Sequence, residues 1–246
     1  MAKSYYEEAL GIEIEVYGAD HPEVARTKDN LASVLRNLGE LRTAKEYYAE
    51  ALAVKKNHYG SNNQEVARNK INLANVLRDM NQYSVAKSYA EEMLIVKKAK
   101  YKSDHPEIAF AKESLGLVLF RLGESSEARS YTEDVLLVKE QYYGRNHLEV
   151  EVTKHNLGDV LCDLGEPNSA KMCYLEALAL KLDFYDSKHP EIAISKEKLA
   201  SAFAQLCDYS AAKSYYEGAL DIKMSHYHSD HPDVINVKDR LQELPS

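Results

Sequence analysis

The sequence predicts an all-α protein, a right-handed superhelical solenoid of antiparallel helix pairs. Three observations predict it: a strict 42-residue period, helical spacing of apolar residues inside each period, and proline and glycine where helices start and stop. Six strings carry the period. His21-Pro22-Glu23-Val24-Ala25, Asn63-Gln64-Glu65-Val66-Ala67 and His105-Pro106-Glu107-Ile108-Ala109 open the series. His147-Leu148-Glu149-Val150-Glu151, His189-Pro190-Glu191-Ile192-Ala193 and His231-Pro232-Asp233-Val234-Ile235 complete it, and no copy is out of step. A fixed period of this size marks a stacked array in which each unit buries its apolar face only against its neighbours. Such a chain is expected to hold a partner rather than transform a substrate.

Taken in order, residues 1–18 read as a lone second helix (helix B). Residues 21–60, 63–102, 105–144, 147–186 and 189–228 read as five helix pairs, and 231–244 as a closing first helix (helix A), all in one array over 1–246. In the first pair Pro22 takes the N1 place, where its missing N–H is not needed, and Glu23 complements the positive helix end. Val24, Leu31, Val34, Leu35 and Leu38 follow at helical spacing and are the expected core positions. Gly39-Glu40 stops this helix at the place glycine favours. Helix B starts near Arg42, carries Ala44, Tyr47, Tyr48, Ala51, Leu52 and Val54, and stops near Tyr59-Gly60. Its mixture of large and small side chains lets two helices approach and interlock. Tyrosine closes helix B in every copy (Tyr17, Tyr59, Tyr101, Tyr143, Tyr185, Tyr227), which accounts for much of the count of 18. A ring there buries its face and keeps its hydroxyl wet. In the closing helix Gln242 and Glu243 bring the polarity expected of a terminal cap.

Composition narrows the function. Hydrophobic content of 45% and charged content of 28% are ordinary for a folded chain. A net charge of -8 argues against nucleic-acid and other polyanion binding. Cys162, Cys173 and Cys207 lack a C-x-x-C spacing, and their odd number fits reduced thiols. No signal peptide and no apolar run of about 20 residues is read, so the expected compartment is the cytoplasm, with no membrane partner. Glycine-rich phosphate loops, G-x-S-x-G elbows and H-E-x-x-H pairs are absent, so no catalytic residue, cofactor or metal is expected. The histidines at 42-residue intervals (His21, His105, His147, His189, His231) lie on successive turns of a solenoid and cannot converge on one ion. They read as helix-start residues. His226, His228, Asp230 and His231 form the one local group with metal-like composition, a candidate for adventitious zinc or nickel at most.

The string N-L-A-x-V-L-R-x-x-G-x-x-x-x-A-K-x-Y-Y-x-x-A-L, from Asn30 to Leu52, resembles a tetratricopeptide repeat. That motif ordinarily runs 34 residues. The 42-residue spacing, with Asp-His-Pro-Glu-Val-Ala between units and Val24 to Ala32 within one, resembles the kinesin light chain subtype over essentially the whole chain. The resemblance implies a helix-pair array acting as an adaptor, with a concave groove lined by helix A. It also implies that asparagines on helix A clamp the backbone of an extended peptide, a role carried to Asn30, Asn72 and Asn156, with Asn75 one turn on.

The residues themselves give that arc its chemistry. In the first pair it carries Arg26, Asp29, Asn30, Ser33, Arg36 and Asn37; in the second, Arg68, Ile71, Asn72, Asn75, Arg78 and Asp79. Four arginines against two aspartates predict a locally basic stretch. The third pair places Phe110, Leu117 and Phe120 on the arc, beside Glu113 and Arg121; the fourth adds Val152 and Cys162 beside His155 and Asp159. Apolar groups on an otherwise polar face suit a partner's hydrophobic anchor, or packing against helix B. The expected partner is therefore an extended peptide or protein, acidic around a hydrophobic residue. The peptide-binding set is Arg26, Asn30, Ser33, Arg36, Arg68, Asn72, Asn75, Arg78, Phe110, Leu117, Phe120, His155 and Asn156. The alternative is self-assembly, a dimer or fibre formed through an apolar edge around Tyr6, Leu10 and Ile14 of the first helix.

Overall fold

The structure, a computed structural model, describes residues 2–245. Twelve α-helices and no strand occur among them: α1 (Ala2–Tyr17), α2 (Pro22–Asn37), α3 (Leu41–Tyr59), α4 (Gln64–Asp79), α5 (Tyr83–Lys100), α6 (Pro106–Arg121), α7 (Ser125–Tyr143), α8 (Leu148–Asp163), α9 (Pro167–Phe184), α10 (Pro190–Gln205), α11 (Tyr209–His226) and α12 (Pro232–Gln242). Even-numbered helices are the A helices of the repeat and odd-numbered ones the B helices. The closing helix ends at Gln242, so Glu243 caps it from outside rather than lying within it.

The helices fall into two compact units, Met1–Gly123 and Glu124–Ser246. In unit 1, α1 to α6 pack consecutively, and the A helices also meet one another, α2 with α4 and α4 with α6. In unit 2, α7 to α12 pack consecutively and α8 meets α10. A-on-A contact makes helix A the inner side of each stack, which places the candidate residues.

The helix starts explain the recurrent histidine. In α2, α6, α8, α10 and α12 the N-cap histidine is extended, and its side chain accepts a hydrogen bond from the backbone N–H two residues on. His21 Nδ1, for instance, accepts from Glu23 N at 3.2 Å. This satisfies one of the amides left over at a helix start. The same ring stacks on the tyrosine closing the preceding B helix, with centroids 4.2–4.8 Å apart: Tyr17 on His21, Tyr101 on His105, Tyr143 on His147, Tyr185 on His189, Tyr227 on His231. Asn63 caps α4 instead, and Tyr59 meets His58 edge-on. At the turns inside each pair, Gly39, Gly123 and Gly165 adopt positive φ, and Asn81 and Cys207 take the same strained place in the other two.

One expectation about packing is corrected and another is met in part. Leu38 is not core: it is the C-cap of α2 and exposed, because the chain leaves the helix before the stripe completes another turn. On α1, Leu10 is buried and Tyr6 packs on the core of unit 1, while Ile14 is 38% exposed, so the apolar edge expected there is covered in part.

A feature unread in the sequence binds the B helices from α3 onward to the A helix that follows. Lys55, Lys97, Lys139, Lys181 and Lys223 recur every 42 residues and are all buried. Each reaches from a B helix to the first turn of the following A helix: Lys55 to Glu65 (3.4 Å), Lys97 to Glu107, Lys139 to Glu149 (2.8 Å), Lys181 to Glu191 (2.9 Å), and Lys223 to the Asp233 carbonyl (3.4 Å). A buried ammonium demands such partners, since desolvating it alone costs several kcal/mol, about as much as a small domain can spare.

Candidate functional site

On the inner side of unit 1 the repeat positions line up. Arg26, Arg68 and Phe110 hold one position in α2, α4 and α6, and all three are exposed, Phe110 to 47%. Asn30 and Asn72 share the next position, exposed and half-buried respectively; Ser114 stands there in α6. Ser33, Asn75 and Leu117 share a third, and Arg36, Arg78 and Phe120 a fourth, with Ser33 exposed and the others half-buried. Each apolar group of α6 therefore replaces a polar one at the same place on the scaffold. Ile71 does not belong to this face: it is 1% exposed, part of the core.

The expected basic stretch is largely neutralised. Arg26 pairs with Glu23, Arg68 with Glu65 (3.7 Å), and Arg36 and Arg78 both with Asp79 (2.6 and 3.1 Å). Glu23 and Glu65 sit one turn back, outside the arc on which charge was weighed. Exposed pairs of this kind are worth about 0–1 kcal/mol, so a ligand carboxylate can displace them. Asn30 and Asn72 have no side-chain hydrogen bond among the described residues, whereas Asn75 Oδ1 lies 3.4 Å from Ser114 Oγ. Behind them Asp29 accepts from Lys55 and from Asn69; burial nevertheless pushes its carboxyl above the usual range.

In unit 2, α8 presents Val152, exposed, with His155 and Asn156 half-buried. His155 is in edge contact with the Tyr174 ring (5.5 Å), and its buried Nδ1 has no hydrogen-bond partner. Burial lowers its pKa to about 4, against the pull of Asp159, so the imidazole stays neutral at ordinary pH. The Tyr174 hydroxyl donates to Asp159 Oδ1 (2.6 Å), and Lys198 of α10 pairs with the same oxygen (2.8 Å). Gly158 makes room: a Cβ there would stand 2.4 Å from the Tyr174 ring. His155 occupies the position that Asp29 holds in α2, and Glu151 holds that of Ala25. The carboxylate lost at one position returns at the other, and Glu151 pairs with Lys181 at 3.4 Å.

Neither Cys162 nor Cys173 is set up as a nucleophile. Burial raises the Cys173 thiol to about 11 and raises Cys162 as well. The histidine group near α11 does not assemble either. His226 Nε2 meets the Lys188 carbonyl at 2.7 Å and His231 caps α12; no set of three metal-capable side chains converges among the described residues. No helix among the described residues is long and apolar enough to cross a membrane.

A model of the tetratricopeptide repeat matches residues 1–57, 26–99, 107–183 and 149–225, which together span most of the sequence. The chain belongs to the tetratricopeptide repeat family. Among solved structures, this tetratricopeptide array is similar to BtubC from P. vanneervenii (TM-score 0.75, 17% identity, covering 94% of this chain and 93% of that one). It is also similar to nearly identical TPR-like repeats of a Podosopora anserina protein named for kinesin light chain (TM-score 0.70, 20% identity, 85% and 99% covered). A third is YrrB, described as a TPR protein with an unusual peptide-binding site (TM-score 0.54, 21% identity, 94% and 98% covered). At these identities the likeness is one of fold. No curated protein matches the sequence.

Proposed function

We propose that this tetratricopeptide array is a non-enzymatic interaction scaffold whose unit 1 binds an extended, acidic peptide along the inner faces of α2, α4 and α6. The observation that carries the reading is the exposed Phe110, standing where Arg26 and Arg68 stand in the two preceding repeats. A scaffold position that tolerates arginine has no structural need of an exposed phenyl ring. The ring suits a partner's apolar side chain, as do Leu117 and Phe120 further along α6. Arg26 and Arg68 exchange their local glutamates for ligand carboxylates. Asn30 and Asn72, having donor and acceptor both free, hold the ligand's backbone. In unit 2, Asn156 repeats the asparagine position beside His155. Family membership and the peptide site in YrrB's description favour a binding role. The raised thiols of Cys162 and Cys173 speak against nucleophilic chemistry.

The test uses a synthetic extended peptide with aspartates and glutamates flanking one leucine or phenylalanine, titrated at low salt. Phe110→Ala and the double change Arg26→Glu/Arg68→Glu are each expected to weaken binding by roughly tenfold or more, about 1.4 kcal/mol. Unchanged affinity in the double variant sinks the reading. Sedimentation of the free chain separates it from self-association, which requires a mass that grows with concentration.

A further inference from the structure

A second series of lysines ties the two helices of a repeat to each other. Lys28, Lys70, Lys112, Lys154 and Lys196 hold one position of the A helices; Glu50, Glu92, Asp134, Glu176 and Gly218 hold one position of the B helices. Lys28 meets Glu50 at 2.7 Å, Lys70 meets Glu92 at 2.6 Å and Lys154 meets Glu176 at 2.5 Å. The fifth repeat keeps the lysine and lacks the acid. Lys196 is half-buried and makes no hydrogen bond or ion pair among the described residues. Its ammonium lies over Gly218, where a Cβ would stand 2.8 Å from Nζ. Withdrawing an ammonium from water without a carboxylate leaves a desolvation cost uncompensated. The surroundings change sign as well. In the first repeat a cavity of about 450 Å³ opens beside the pair, with Asp20, Lys28, Glu50, Ala53, Asn57 and His58 in its lining. The fifth repeat has Lys188, Lys196, Gly218, Asp221, Ser225 and His226 at those positions, two lysines and one acid in place of one lysine and two acids. The two sides meet there, since His226 Nε2 lies 2.7 Å from the Lys188 carbonyl oxygen.

We propose that Lys196 and the gap at Gly218 form a carboxylate-binding site that takes an acidic side chain of a partner protein. The incoming carboxylate stands where Glu50 stands in the first repeat and accepts a charge-assisted hydrogen bond from the Lys196 ammonium. Lys188, at the position of Asp20, replaces a repelling charge by an attracting one. Glycine at 218 keeps the place open, since a longer side chain would occupy it. Asp221, exposed and three residues on, repels the ligand and limits its affinity. None of these residues belongs to the inner face of unit 1, and the site stands whether or not that face binds a peptide.

The first probe is acetate, titrated into the full chain against chloride at matched ionic strength and followed through backbone amide shifts by NMR. Saturable shifts are expected at Gly218 and its neighbours on α10 and α11. Gly218→Glu should abolish them, because its own carboxylate fills the place, and Lys196→Met should abolish them too. Asp221→Asn should tighten the binding. Arg26→Glu/Arg68→Glu should leave the shifts at Gly218 unchanged, which keeps failure of this site distinct from failure of the inner face. Thermal melts give an independent reading. Gly218→Glu should melt about 1–3 °C above Gly218→Gln, which has the same bulk without the charge, and Lys196→Met should close that gap. A second probe, a soluble peptide with one glutamate, is compared with the same peptide carrying glutamine. Wild type is expected to bind the glutamate peptide in preference; acetate binding without that preference would overturn the assignment to a partner's side chain and leave a free carboxylate as the ligand. The site itself is overturned if the acetate shifts persist in Gly218→Glu and Lys196→Met, if they never saturate, or if Gly218→Glu melts no higher than Gly218→Gln.

Discussion

The second repeat, in unit 1, and the fourth, in unit 2, solve one problem in different ways. Each must neutralise a buried lysine, Lys97 or Lys181, and each has lost the acid that Asp29 supplies to Lys55. In the second repeat Ile71 replaces it, and Lys97 is left with Glu107, a carboxylate partly open to water. In the fourth His155 replaces it, and Glu151 enters from the preceding turn, so Lys181 faces one buried carboxylate and one half-open one. The first solution is apolar and inexpensive. The second gathers Glu151, His155, Asp159, Tyr174 and Lys198 into a polar cluster under the inner face. The helix pair is therefore fixed by the lysine and the cap, while the groups around the lysine are free to differ.

Removing the lysines widens that contrast most. Lys181→Met leaves Glu151 buried without a counter-charge and is expected to cost about 3–5 kcal/mol. Lys97→Met should cost clearly less, since Glu107 can turn to water. Adding Glu151→Ala to Lys181→Met should recover much of the loss. Urea unfolding of the four proteins measures this, and equal losses for Lys97 and Lys181 would remove the distinction.

Acid probes the same cluster. In the unfolded chain a histidine titrates near its ordinary 6.5, whereas His155 holds out to about 4. Between those values the unfolded chain binds a proton that the folded one refuses, so this group's contribution to stability falls as pH drops from 6.5 to 4. The loss is about 3 kcal/mol at its limit. His155→Gln lacks it, so the stability difference between wild type and variant should shift by that order against wild type from pH 7 to pH 4. Asp159, Lys181, Lys198 and Glu191 face the ring and stay present in both proteins. A pH-independent difference would mean that the ring is protonated or open to water.

Smaller effects follow from packing and caps. Gly158→Ala drives a methyl group against Tyr174 and should cost about 1–3 kcal/mol. Thermal melts would read it. His189→Ala removes a cap and its stack on Tyr185, and Asn63→Ala removes a cap alone. Both should cost about 1 kcal/mol, the histidine a few tenths more. If the asparagine proves the costlier, the ring stack contributes nothing.

Much of the fold was legible because proline, glycine and the apolar stripe each act locally. Helix ends came within a few residues on that ground. The role of the periodic histidine was half legible: its place at a helix start followed from Pro22 and its equivalents, but the stack on the preceding tyrosine needed the path of the turn. The lysine ladder was missed because lysine is ordinarily a surface residue. Its signal was present, a charged residue recurring every 42 positions inside an apolar stretch such as Val54-Lys55. Charge on the inner face was misjudged for a related reason, since Glu23 and Glu65 lie a helical turn away from the arginines they neutralise.

The lysine ladder has a consequence for how such a chain can change. Because four of the five rungs join an ammonium to a carboxylate ten residues on, the clasps of α3, α5, α7 and α9 fit one another's A helices. Excising or duplicating a whole 42-residue unit would rejoin the ladder without a loose end, provided the cut falls between equivalent positions. The fourth repeat is the exception, since Glu151 and His155 must travel together. Interchangeable clasps also offer a newly made chain several wrong neighbours for each helix, and that paired exchange gives the correct one a distinguishing mark.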